Sequence, residues 1–125
     1  MENKELIELA KSIVKPRELS DMASCGVVSA VLVSEKGNVY KGLNIDVPCS
    51  MGFCAEHAAI ASMITAGESR IAKIVAVQYG GKILPPCGRC REFMYQINHE
   101  NINTEVILED GVHTLGEILP YLWKK

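Results

Sequence analysis

Apolar positions Leu6, Ala10, Ile13 and Val14 recur at helical spacing through the first sixteen residues and predict an amphipathic helix stopped by Pro16. Val27 to Ser34 is a β-branched apolar run, Glu35-Lys36-Gly37-Asn38 has the composition of a turn, and Val39 to Ile45 runs back, which predicts a β-hairpin. Residues 46–53, with Pro48 and Gly52, read as a loop. Cys54 to Ala66 is rich in alanine and closes at Gly67, a helix pattern. Ile71 to Tyr79 reads as a buried strand broken by Gly80-Gly81. A helix from about Cys87 to Ile97 follows Pro85-Pro86, Glu105 to Leu108 gives another strand, and Thr114 to Leu119 a short helix before Pro120. The order α-β-β-α-β-α-β-α predicts an α/β fold, with helices packed on a central, mostly parallel sheet behind one antiparallel hairpin.

Composition narrows the picture. With 125 residues, 48% of them hydrophobic, the chain has enough apolar material for one compact domain spanning 1–125 and hardly enough for two. The net charge is −2, and the densest basic stretches are Lys11 to Arg17 and Lys124-Lys125, so no basic face suited to a nucleic-acid polymer is expected and a free small molecule is the better partner. Five cysteines without a signal-peptide pattern point to a reducing, cytoplasmic setting in which thiols hold metal and do not form bridges. No run of about eighteen apolar residues is present to span a membrane.

Two cysteine motifs carry the candidate chemistry: Cys54-Ala55-Glu56 and Pro86-Cys87-Gly88-Arg89-Cys90. Each falls where a loop turns into a predicted helix, and the positive end of a helix favours the thiolate that binds metal. Cys87 and Cys90 are three apart and face one point. Glu56 lies two residues beyond Cys54, off the metal bond but near it. Three ligands leave zinc a fourth, open position, and a carboxylate beside that position can move protons. Three thiolates around a divalent ion leave one net negative charge, so at least one of His57, Arg89 and Arg91 is expected to donate a hydrogen bond to a ligating sulfur.

The same residues admit blander readings. Cys54-x-x-His57 with Cys87-x-x-Cys90 is also a complete set for a closed, structural Cys₃His zinc site without catalysis, and Pro-Cys-x-x-Cys at a helix start is similar to a thioredoxin-type redox pair. His99 and His113 read as surface loop residues, Cys25 and Cys49 as small buried hydrophobes, and Met51, Met63 and Met94 as core packing.

From the hairpin through Gly42-Leu43-Asn44, Cys54-Ala55-Glu56 and Pro86-Cys87-Gly88-Arg89-Cys90-Arg91 to Ile118-Leu119-Pro120-Tyr121-Leu122-Trp123, the chain resembles the small zinc-dependent cytidine deaminases, and most nearly their blasticidin-S deaminase-like branch. The resemblance implies a three-layer α/β/α sandwich whose mixed sheet carries an N-terminal antiparallel hairpin. It implies a homotetramer with active sites near subunit boundaries and one Zn2+ per chain on Cys54, Cys87 and Cys90. Glu56 is then the proton shuttle in the hydrolytic deamination of a cytosine-type ring, in cytidine, deoxycytidine or a blasticidin-S-like nucleoside, with release of ammonia. Asn44, Asp46, Ala55, Tyr121 and Trp123 fall at substrate-binding positions, and His57, Arg89 and Arg91 beside the ligands. Three positions depart from the nucleoside deaminase pattern: Asn44-Ile45-Asp46 stands for Asn-x-Glu, His57 for an arginine, and Gly26 for a phenylalanine that packs on the base.

Overall fold

The computed structural model describes residues 1–125 as an open, twisted sheet covered by helices on both faces. Helix α1 (Asn3–Ile13) starts at a reciprocal cap between Glu2 and Glu5 and buries Leu6 and Ala10. Strands β1 (Arg17–Glu18), β2 (Ser24–Ser34) and β3 (Val39–Asp46) follow, then α2 (Ala55–Thr65), β4 (Ile71–Gln78), β5 (Ile83–Leu84) and α3 (Gly88–Ile97). A 3-10 helix (His99–Asn103), β6 (Glu105–Leu108), β7 (Gly111–Thr114) and the one-turn α4 (Leu115–Ile118) complete the chain. No helix is long and apolar enough to cross a membrane.

The sheet corrects one expectation: it is mixed, but not mostly parallel. Across it the strands run β3, β2, β4, β6, β7, with β1 on the edge of β2 and β5 on the edge of β4. Only β4 and β6 pair parallel; β2 pairs antiparallel with both β3 and β4, and β6 with β7. The reason is topological. Helical connections do join strands running the same way, but the β3-to-β4 crossover spans β2, which lies between them pointing the other way. Strands β1, β5 and β7 are two to four residues long, too short to show an alternating pattern in the sequence.

Alternation along the long strands divides the interior in two. Ala30, Leu32, Ile74, Ala76 and Val106 face α2, α3 and α4, and join Ala59, Ile60, Met63, Met94 and Leu115 in the larger core. Val31, Val33, Val75, Val77 and Ile107 face Leu6 and Ala10 of α1. Asn101, fully buried, fastens the turn before β4 to the end of α3: Oδ1 accepts from the Ile71 N–H at 2.8 Å, and Nδ2 donates to the carbonyls of Ser69 and Met94. Cys25, Met63 and Met94 are buried as expected, but Cys49 and Met51 are exposed on the loop between β3 and α2. That loop turns through Cys49 and Ser50 at φ +64° and +58°. His113 belongs to β7, not a loop, held by Asp110 at 2.9 Å, and His99 stacks on Tyr95 in the 3-10 helix.

Candidate metal centre and substrate cavity

Both cysteine motifs occupy helix starts. Cys54 is the N-cap of α2 and Cys87 the N-cap of α3, with Cys90 in the first turn of α3. Two features seat α2. Ile45 and Phe53 exchange backbone hydrogen bonds of 3.1 and 3.0 Å, which closes the loop and delivers Cys54 beside the sheet. Gly42 lets the helix lie close on β3: a Cβ there would stand 2.4 Å from the Ala59 nitrogen and 2.6 Å from the Ala55 oxygen.

The three sulfurs lie within 4.8 Å of one another, with Cys54 Sγ 3.5 Å from Cys87 Sγ. A tetrahedral zinc with Zn–S bonds of about 2.3 Å spaces its sulfurs by roughly 3.8 Å, so the donors fit the ion in number, type and spread. At Cys87 burial works against the thiolate, but hydrogen bonds led by the Cys90 backbone N–H outweigh it and bring the pKa below the ordinary thiol value. Burial wins at Cys54 and Cys90, whose thiols are pushed up. The helix-start effect expected at both motifs is therefore visible at one sulfur only, and an ion's own charge is what deprotonates buried thiols such as the other two.

His57 is not among the mutually close ligand atoms. Its Nδ1 lies 3.2 Å from Cys90 Sγ, and its ring stacks on Phe93 at 4.2 Å and 8°. Burial, then the Arg89 guanidinium, hold it below the usual imidazole range. With the proton on Nδ1, the neutral ring donates to the sulfur, which is the expected ligand–donor contact. Arg91 makes no such contact: Nε donates to the Pro86 carbonyl and a terminal nitrogen to that of Ile118.

A cavity of about 400 Å³ opens over the thiols, within the roughly 300–1,000 Å³ range of small-molecule sites. Asn44, Asp46, Ala55, Glu56 and Arg89 line it together with Cys54 and Cys87. Glu56 is 5% exposed, and burial raises its carboxyl above the ordinary range. Asn44 is fixed in orientation: Oδ1 accepts from the Val28 N–H at 2.9 Å, and Nδ2 donates to Asp46 Oδ2 at 3.0 Å. Sequence reasoning missed Val28, Phe53, Leu84 and Pro85, which supply apolar wall. Phe53 and Pro85 adjoin the two motifs and were findable from that; Val28 and Leu84 reach the site only through strand pairing. Tyr121 and Trp123 do not line the cavity: they are 99% and 78% exposed.

Fold and thiol cluster define a zinc-binding α/β protein, and comparison with known proteins gives the family. The profile described as "Cytidine and deoxycytidylate deaminase zinc-binding region" matches residues 1–106. A cytidine deaminase of Mycobacterium tuberculosis is 30% identical over 96 residues, covering 74% of this chain and 69% of that protein. One from Photorhabdus laumondii is 39% identical over 97 residues, but the match spans only 31% of that longer protein. Among solved structures, the M. tuberculosis cytidine deaminase superposes with a TM-score of 0.83 at 23% identity, over 100% of this chain and 99% of the other. The Burkholderia pseudomallei cytidine deaminase gives 0.77 at 28% identity, over 98% and 100%. The chain belongs to the cytidine and deoxycytidylate deaminase zinc-binding family, and this membership with the Cys54, Cys87 and Cys90 cluster supports one Zn2+ per chain.

Proposed function

We propose that the protein hydrolytically deaminates a cytosine-type ring in a small nucleoside, with Glu56 as its catalytic residue. The observation that carries this is the placement of a buried carboxyl, raised above its ordinary range, in the cavity that Cys54 and Cys87 line, beside the three-thiol cluster. A zinc ion held by Cys54, Cys87 and Cys90 would supply a Lewis acid that acidifies water. Glu56 takes a proton from the attacking water and delivers it to the ring nitrogen; once the hydroxyl has added to the amine-bearing carbon, Glu56 carries that hydroxyl's proton to the amine, which leaves as ammonia as the C–N bond breaks and the carbonyl forms. A carboxyl whose pKa is raised toward the working pH suits both duties.

Asn44 and Asp46 hold the sugar: Asn44, pinned by Val28, offers its remaining amide hydrogen, and Asp46 its free carboxylate oxygen. Asp46 is one methylene shorter than glutamate, which leaves the sugar side of the cavity wider and favours a blasticidin-S-like nucleoside as the second reading. The exposure of Tyr121 and Trp123 supports a homotetramer in which they pack on a neighbouring copy and not over their own cavity. A cytoplasmic location accords with the free thiols.

The test is the ultraviolet change on deamination by zinc-loaded protein, with cytidine, deoxycytidine, deoxycytidylate, cytosine and blasticidin S compared. Turnover of the simple nucleosides is expected. Turnover of blasticidin S alone would favour the second reading, and silence on all five would sink the proposal. Glu56→Gln is expected to retain one zinc per chain and lose at least about 10²–10⁴-fold in rate.

A further inference from the structure

Arg91 follows the last thiol in sequence, yet its side chain turns to two backbone carbonyls: Nε donates to Pro86 at 2.7 Å and a terminal nitrogen to Ile118 at 3.0 Å. Pro86 is buried and immediately precedes Cys87; Ile118 is the last residue of α4. The Arg91 backbone N–H donates to the Cys87 carbonyl at 3.0 Å. The backbone bond is the ordinary helical one; the side chain adds the Pro86 carbonyl on the other side of Cys87 and ties it to the start of the C-terminal segment. A planar guanidinium with fixed, divergent donors suits two carbonyls held apart, which a single ammonium does not.

The C-terminal segment is itself anchored on the core. Ile118, Leu119 and Leu122 pack against the same core as Phe93, and Phe93 stacks on the His57 ring that meets Cys90 Sγ. Packing of Ile118 and Leu122 on that core thus holds in place the carbonyl that Arg91 grips, and the segment does not line the cavity. Displacing the Pro86 carbonyl would swing Cys87, the most exposed end of the cluster.

We propose that Arg91 is a positioning residue through which the Ile118–Leu122 segment braces the Cys87–Cys90 turn and slows loss of the metal. The proposal rests on the three-thiol zinc assignment and is independent of which ring, if any, is deaminated.

The experiment follows zinc release from the full-length, zinc-loaded protein into excess chelator, for wild type, Arg91→Gln, Arg91→Lys, Leu122→Ala and the Arg91→Gln/Leu122→Ala double variant. Groups that orient metal ligands typically contribute about 10–100-fold in affinity. Release from Arg91→Gln is expected to be faster by about that factor, and Arg91→Lys, able to satisfy one carbonyl, to fall between. Leu122→Ala should accelerate release when Arg91 is present and add nothing in its absence. In cobalt-loaded protein, Arg91→Gln should shift the thiolate–cobalt absorption while far-ultraviolet circular dichroism stays unchanged. Wild-type release with unshifted cobalt bands in Arg91→Gln would overturn the proposal. Independent, multiplicative acceleration by the two substitutions would overturn the route through Arg91. If Arg91→Gln fails to fold, Arg91→Lys with Leu122→Ala completes the same cycle. Absence of stoichiometric zinc from the wild type would instead overturn the metal assignment, and that is read before any variant is compared.

Discussion

The sequence resemblance sets Gly26 against an aromatic position, and the backbone at Gly26 leaves no room for a side chain. Its φ is +86°, and a Cβ would fall 2.0 Å from the Lys15 carbonyl oxygen, inside the chain leaving α1. Gly26→Phe should therefore destabilise the fold, by about 1–3 kcal/mol for the backbone strain before any clash is counted, and fail to rebuild a base-stacking wall; denaturant unfolding with substrate kinetics checks both. His57→Ala should leave one zinc per chain, because the ligand atoms are three sulfurs, with affinity weakened by about 10–100-fold through the lost contact to Cys90; metal analysis and a chelator titration decide it. A drop to substoichiometric zinc would favour the closed Cys₃His site. The convergence of Cys54, Cys87 and Cys90 was legible in the sequence because metal chemistry fixes their spacing, and Glu56 falls in the cavity beside them. The contacts of Arg91 were not legible: adjacency to a ligand is the same in sequence whether a guanidinium turns to sulfur or to a carbonyl.

Between elements, the junction of α2 with the β2–β3 turn gives a pH-dependent stability. Beyond Gly67, the Glu68 carboxylate accepts from the Tyr40 hydroxyl at 2.7 Å and from Asn38 Nδ2 at 2.9 Å. These bonds, with Ser34 and Lys36, lower its pKa to about 2. A depressed carboxyl stabilises the fold above its ordinary titration range, and that contribution is lost as pH falls toward the folded value. Thermal midpoints of the wild type should therefore decline between roughly pH 4.3 and pH 2, and Glu68→Gln should lower the midpoint at neutral pH and flatten that part of the acid limb. An unchanged acid limb in the variant would show that Glu68 does not titrate in this way. The four helices and the long strands were readable from periodicity and from stops such as Pro16 and Gly67. The junction was not, since Tyr40 and Glu68 are 28 positions apart and meet only once the hairpin and helix have packed.

At the scale of the molecule, the metal ties together helices that reach the site through separate connections, α2 from β3 and α3 after β5. Ligand binding confined to the folded state stabilises it by mass action, about 4 kcal/mol at a free ion concentration 1,000 times Kd. Chelation should lower the thermal midpoint and zinc should restore it; calorimetry in both states checks this, and equal midpoints would mean the ion contributes little to folding. The α/β class was legible in the succession of elements. The pairing of the sheet was not, because local composition records that a hairpin exists but not that a later crossover will place one of its strands between two others.

β2 carries a register shift between Cys25 and Ser29, and beyond it successive residues serve different interiors: Ala30 and Leu32 one, Val31 and Val33 the other. Under sequence drift these positions can exchange one apolar side chain for another, because either interior accepts a change of shape at modest cost. They cannot absorb a change of length. A chain one residue shorter between Gly26 and Val28 must either transpose the two interiors or surrender the bend that lets Val28 meet Asn44. The turn Glu35–Asn38 is exposed and has room for an inserted residue. Insertions and deletions in relatives should collect at that tip and spare the stretch behind Lys15, where the number of residues matters more than their identity.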